Sequence, residues 1–377
     1  MLSAVPAFHA IACTRYRYRY SECRRCADAC PHDAIALTDE GASLKADACK
    51  ECGLCISACH TQAWSSPGYQ PIEILREAIK KPSWQMACEP SGCAGDAKVP
   101  CLGAIDAVWL AYMAKRGIPV SLHGSGHCAQ CSHGRTGEAQ LQLNLLAVEA
   151  LRDAAAQGVD ETAPPARWVM PVLAEETRSP EARERDTRKS SGTAARRGLF
   201  KRFFRRGAEQ GTASAAGVAP AQIPQQAVRA AAYVMSERRE LLQIVTQRKD
   251  DQPMQVALDE SLPLMQLSLQ SGCTLCEACF RVCPSGAIAI VENPGDWALT
   301  FQADRCLACQ VCLEACQPRV LDAEASFDAR PGLAPVTLIS RTKQRCSRCD
   351  RHFVSVSPEA TCGVCRDDED AFTAIFG

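Results

Sequence analysis

The sequence predicts an α+β chain built from several small units, each closed around its own group of cysteines. Three observations carry that prediction. The 377 residues include 25 cysteines, and most of them stand two or three residues from the next in tight runs. The segments between the runs alternate between strand-like and helix-like apolar patterns. Residues 172–227 break the chain in two, with Ala, Arg, Ser, Gly, Pro and Gln dominating and no sustained apolar period.

Composition narrows the function. A chain of this length makes two or three domains, and 47% hydrophobic residues suffice for packed cores. Lys plus Arg (42) nearly balances Asp plus Glu (43), for a formal net charge of −1. No global attraction to nucleic acid follows from that balance. Residues 1–12 lack the basic start and apolar run of a signal peptide. The best apolar stretch, 104–114, is too short to span a bilayer and contains Asp106. Clustered spacings with these features point to metal ligation in the cytoplasm rather than to disulfides.

The most complete run sets the reading of the others. It is Cys273-x2-Cys276-x2-Cys279-x3-Cys283-Pro284, followed by Cys306-x2-Cys309-x2-Cys312-x3-Cys316. Iron–sulfur cubes take four thiolates each, and a run of this form ending in Cys-Pro lends its fourth cysteine to the other cube. One [4Fe–4S] cluster is therefore assigned to Cys273, Cys276, Cys279 and Cys316, and a second to Cys306, Cys309, Cys312 and Cys283. The stretch resembles the two-cluster bacterial-type ferredoxin domain, and Pro284-Ser285-Gly286-Ala287-Ile288 is similar to that family's turn into a strand.

Taken in order, residues 1–71 are expected to form a first ferredoxin-like dicluster domain. Cys49-x2-Cys52-x2-Cys55-x3-Cys59 is a complete second half, and Ala46-Asp47 precedes it as Ala303-Asp304 precedes Cys306. The duplication assigns one cluster to Cys49, Cys52, Cys55 and Cys30. The first half, Cys23-x2-Cys26-x3-Cys30-Pro31, is short of one ligand, because Tyr20 occupies its slot. Cys13 lies seven residues upstream, and the alternating run Arg15-Tyr16-Arg17-Tyr18-Arg19-Tyr20 predicts a short strand. A hairpin would bring Cys13 to join Cys23, Cys26 and Cys59; otherwise Cys13 is an ordinary buried thiol and that cluster is missing or has three irons. That makes four [4Fe–4S] clusters, with this one resting on Cys13.

Residues 72–171 read as a small α/β unit. A strand is expected at 84–88, a helix at 102–116 on Ile105, Trp109, Leu110 and Met113, a strand at 118–122, and a helix at 141–156 on Leu141, Leu145, Val148 and Leu151. This β-α-β order implies a parallel sheet. The unit carries Cys88, Cys93, Cys101, Cys128 and Cys131, one more than a four-thiolate site needs, with Cys88 or Cys101 as the expected odd one out. A cysteine pair, Cys101-Leu102-Gly103, a helix, a strand and a closing pair resembles the delta subunit of methyl-viologen-reducing hydrogenase. That resemblance implies a [2Fe–2S] cluster; zinc is the alternative.

Residues 172–227 are a basic linker with one island, 196–206, whose Leu199, Phe200, Phe203 and Phe204 oppose Lys201, Arg202, Arg205 and Arg206 on a helical wheel. It suits peripheral contact with an anionic membrane surface, on the inner face, or is a soluble basic patch. Residues 228–335 form the second dicluster domain, entered through a helix over 228–248. Residues 336–377 hold Cys346-x2-Cys349-x12-Cys362-x2-Cys365, two knuckles that resemble a zinc ribbon, with rubredoxin-type iron as the competing ion and an acidic tail at 367–370.

No Gly-rich dinucleotide fingerprint or P-loop is present. The expected function is single-electron relay through several [4Fe–4S] clusters, as a non-catalytic component of an oxidoreductase system. Its partners would be a redox enzyme (hydrogenase, formate dehydrogenase or similar, by analogy) and another electron carrier. A cluster-bearing redox sensor or assembly factor, or a thiol- or sulfur-active enzyme at the middle site, are the other classes.

Overall fold

The computed structural model describes residues 5–157, 168–174, 235–250 and 252–376. The linker island at 196–206 and the start of the helix expected at 228–248 lie outside the described residues. Mixed helix and strand content is compatible with the α+β expectation. All 25 cysteines are free.

The first domain uses short elements because its loops must bend around ligands. β1 (Ala7–Phe8) pairs with β4 (Trp64–Ser65), and a hairpin joins β2 (Ile35–Thr38) to β3 (Gly41–Leu44). Helices α2 (Arg25–Asp28) and α3 (Leu54–Ala58) each carry a ligand-bearing turn. Ile35, Ala42, Cys55 and Trp64 form its small core. The strand expected over 15–20 is not there: Cys13 instead leads into helix α1 (Thr14–Arg17), its carbonyl accepting from Arg17 N at 3.2 Å. An Arg/Tyr alternation makes a strand only if one face has something to pack on. Here the Arg15 guanidinium bonds the Ser21 and Thr38 carbonyls and Arg17 bonds that of Ile11, so the arginines hold a compact turn.

A backbone repeat shows the duplication more clearly than the side chains do. Three residues after the last cysteine of each half, φ is positive: Asp33 (48°), Gln62 (54°), Gly286 (64°) and Arg319 (53°). Within the CxxCxxC loops a second pair recurs, Glu51 and Gly53, Leu275 and Glu277, Ala308 and Gln310. Non-glycine residues enter this region at a cost and are held there by their surroundings. The half in which Tyr20 replaces a cysteine has no such pair among its described residues, so its loop follows another path.

Next come α4 (Pro71–Ala78) and the α/β unit: β5 (Trp84–Cys88), β6 (Ala97–Val99), α5 (Ala107–Lys115), β7 (Val120–His123), α6 (Gly134–Ala156) and β8 (Val172–Ala174). The sheet is ordered β6-β5-β7-β8 and all three pairings are parallel. The first expected helix begins later than its apolar period, because Leu102–Ala104 is a 3-10 turn and Asp106 caps α5, its carboxylate accepting from Val108 N at 2.7 Å. The second begins earlier, at Gly134, over residues with no apolar marker.

The remaining chain does not respect the expected boundaries. Helix α7 (Glu237–Thr246) and the pair β9 (Gln255–Ala257) with β14 (Ser326–Asp328) pack into the core of the α/β unit, through Leu242, Val245, Met254, Val256 and Phe327. The second dicluster domain proper holds β10 (Leu267–Leu269) paired with β13 (Leu321–Ala323), α8 (Ala278–Val282) and α9 (Val311–Glu314). Strands β11 (Ile288–Asn293), β12 (Asp296–Phe301), β15 (Val336–Arg345) and β16 (His352–Ser355) form one antiparallel sheet, so the C-terminal knuckles are hung on the dicluster domain's own hairpin. The first knuckle is itself the β15–β16 turn, and the acidic residues 367–370 lie in helix α10 (Gly363–Phe376) rather than in a loose tail.

Candidate iron–sulfur and metal sites

Cys13, Cys23, Cys26 and Cys59 line one cavity in the first domain, and Cys30, Cys49, Cys52 and Cys55 line a second. Cys283, Cys306, Cys309 and Cys312 line a third. Cys279 has Cys273, Cys276 and Cys316 as neighbours, which makes a fourth set. In the α/β unit Cys88, Cys101, Cys128 and Cys131 share a cavity with His127 and His133. Cys88 and Cys101, the expected doubtful members, are both there. Cys93 is not; it is buried past the Glu89–Ser91 turn, with its N–H on Ser91 Oγ at 3.1 Å.

The chemistry of these sets fits a thiolate-bound cation. Burial pushes Cys26, Cys101 and Cys279 up to about 12 and Cys88 and Cys306 to about 11, and it also raises Cys13, Cys52, Cys55, Cys309 and Cys312. Left alone, such thiols stay protonated; a positive group at the centre turns the same desolvation into tight binding. Backbone N–H groups already point at several sulfurs: Glu51 to Cys49 (3.4 Å), Ala63 to Cys59 (3.3 Å), His133 to Cys131 (3.4 Å) and Ala308 to Cys306 (3.3 Å). At Cys101 the approach is close enough that a Cβ on Gly137 would meet its sulfur at 2.7 Å.

At the C-terminus the sulfurs of Cys346, Cys349, Cys362 and Cys365 all lie within 4.8 Å of one another. Backbone N–H groups, of Cys362 first and then Cys349, pull Cys346 down to about 6. Four thiols this close, on two turns, suit a tetrahedral ion.

Members of neighbouring sets lie close enough to influence one another electrostatically across the domain joints. Cys101 of the α/β unit has Cys52 as a neighbour, and there the His32 and His133 rings meet edge to face, Nε2 to Nδ1 at 3.0 Å. Within the first domain Cys55 neighbours Cys26. Cys309 lines the first domain's Cys13 cavity and has Cys23 as a neighbour. Within the second domain Cys312 neighbours Cys279.

Two adjacent arginines lock the joints. Arg238 pairs with Asp106 at 2.5 Å and donates to the carbonyls of Ser57 and Cys59. Arg239, 4% exposed, donates to the carbonyls of Pro263, Ala303 and Asp304. His60, where the resemblance would place a proline, is fully enclosed. Burial, then Arg25 and Arg238, keep its imidazole neutral, and its Nδ1 sits 3.2 Å from the Ala308 carbonyl. Sequence reading missed all three residues, because their partners lie far away along the chain; only the non-proline after Cys59 hinted at one.

A sequence model of the 4Fe-4S dicluster domain family matches residues 21–63 and 272–320. No curated protein matches the chain. The chain thus carries two 4Fe-4S dicluster domains, which support an iron–sulfur electron-transfer role. No helix among the described residues is long and apolar enough to cross a membrane.

Proposed function

We propose that the chain is a single-file electron relay. The observation that carries this reading is the order of neighbours. The cysteine sets follow one another as the α/β site (Cys88, Cys101, Cys128, Cys131), then Cys30/49/52/55, then Cys13/23/26/59, then Cys283/306/309/312, then Cys273/276/279/316, through the neighbouring pairs Cys101–Cys52, Cys55–Cys26, Cys23–Cys309 and Cys312–Cys279, with Cys309 lining the Cys13/23/26/59 cavity itself. Each all-cysteine iron–sulfur group supplies one-electron storage. The residues supply the rest: they hold the groups in register, bury them, and direct N–H dipoles at the sulfurs, which tunes potential.

The four dicluster sets would hold [4Fe–4S] clusters, and the α/β site a [2Fe–2S] cluster. Its complete four-cysteine lining favours the relay over a sulfur-active enzyme, which would leave a ligand position open. The C-terminal knuckles would hold structural Zn2+ and stiffen the β15–β16 end of the sheet. At the far end of the file Cys276 is exposed and Phe280 is 38% exposed, so this set is the natural docking point for a partner carrier. The other end would face a redox enzyme such as a hydrogenase or formate dehydrogenase, in the cytoplasm and at the inner membrane surface if the 196–206 island binds lipid.

Anaerobic reductive titration tests the reading. The protein is expected to take up about five electrons per chain, one for each iron–sulfur group, and to return them to an added acceptor. Uptake of about two or fewer, or no reoxidation, would contradict it.

A further inference from the structure

A cavity of about 530 Å3, with no cysteine in its lining, opens between the first domain, α5 and α7. That size suits a drug-sized organic ligand. Trp64, Tyr69 and Trp109 line it, and the polar ends of two of these aromatics are already engaged: Tyr69 donates to the Ala104 carbonyl at 2.9 Å and Trp109 to that of Pro71 at 3.0 Å. What these two residues have left to offer is ring surface. The charged lining residues are Asp106, Glu237 and Arg238; Asp106 pairs with Arg238 and Glu237 with Arg76, so the one lining cation is already engaged and a phosphate or carboxylate ligand gains nothing from it. Gln62 and Gln70 also line it, and their side-chain amides can donate to a carbonyl oxygen.

The cavity also abuts the middle of the cysteine file. Trp64 lines both this cavity and the one formed by Cys13, Cys23, Cys26 and Cys59, and its indole N–H bonds the Cys26 sulfur. Arg238 donates to the Cys59 carbonyl. A flat, uncharged ring with carbonyl oxygens, seated within one indole of an electron-storing site, fits all of these features.

We propose that this cavity binds a quinone, which exchanges electrons with the Cys13/23/26/59 set. The electron exchange rests on the relay reading; the binding does not. The quinone takes two electrons in succession from that set and two protons from water at the rim, where Ser65, Pro67 and Glu237 are exposed, and leaves as quinol. The reverse reaction loads the relay.

The test uses the full-length, cluster-loaded protein under anaerobic conditions, with menadione as the probe and ultrafiltration to separate bound from free. Saturable binding of about one menadione per chain is expected, and protein reduced with dithionite and then freed of it should convert the bound menadione to menadiol. Ile72→Trp, which fills the cavity from α4, should weaken binding at least about tenfold while iron, sulfide and electron uptake from dithionite stay at wild-type levels. Absence of saturable binding, equal binding in Ile72→Trp, displacement of menadione by equimolar FMN, or binding without menadiol formation would overturn the proposal. Electron uptake from dithionite is scored separately, so a failed cavity leaves the relay standing and a failed relay shows as lost uptake.

Discussion

Tyr20 stands where a ligand is due, and Cys13 reaches the same cavity from a different direction. Cys13 lines the cavity with Cys23, Cys26 and Cys59, while Tyr20 is 68% exposed and outside it. Cys13→Ala should therefore lower iron by about four atoms per chain, read by iron and sulfide analysis; unchanged iron would remove Cys13 from the site. Adding Tyr20→Cys should not restore that iron, because this loop lacks the left-handed pair that shapes the other three. Cys93→Ser should leave the α/β site's absorption intact, whereas Cys101→Ser should abolish it. The ligand spacings were readable from the sequence, since x2 and x3 intervals constrain a local loop. The choice among the five cysteines of the α/β unit was not, because it depends on which face of the Glu89–Ser91 turn each one leaves.

At the scale of elements, α7 is the joint of the molecule. Its apolar period was legible, but the roles of Arg238 and Arg239 were not, since their carbonyl partners come from loops up to 181 residues away. Arg239→Ala strips three carbonyls, one buried and two half-buried, of their donor and should cost about 3 kcal/mol in chemical denaturation; a change within error would mean the joint is held otherwise. Strand β15 teaches a related lesson. It was expected to begin a separate ribbon, yet it extends the β11–β12 hairpin, because an edge strand left unpaired seeks a partner. Binding of the ion proposed for the C-terminal knuckles should depend on pH. With backbone N–H groups holding Cys346 down to about 6, protons begin to compete with the metal for this sulfur only as pH falls through about 6. Zinc retained per chain after dialysis should drop between pH 7 and pH 5; full retention at pH 5 would contradict this.

For the whole molecule, the sequence indicated how many centres to expect but not their order. The order comes from docking: His60 against Ala308, the His32–His133 contact, and the two arginines bring Cys23 beside Cys309 and Cys52 beside Cys101. None of these contacts leaves a periodic or spacing signal, so a file of centres looked in sequence like three separate units. The most direct measurement is low-temperature EPR of the fully reduced, anaerobically purified protein. Neighbouring centres in one file should give broadened, magnetically interacting spectra that simplify in Cys13→Ala, where the middle of the file is removed. Sharp, independent signals that do not change in Cys13→Ala would contradict the account.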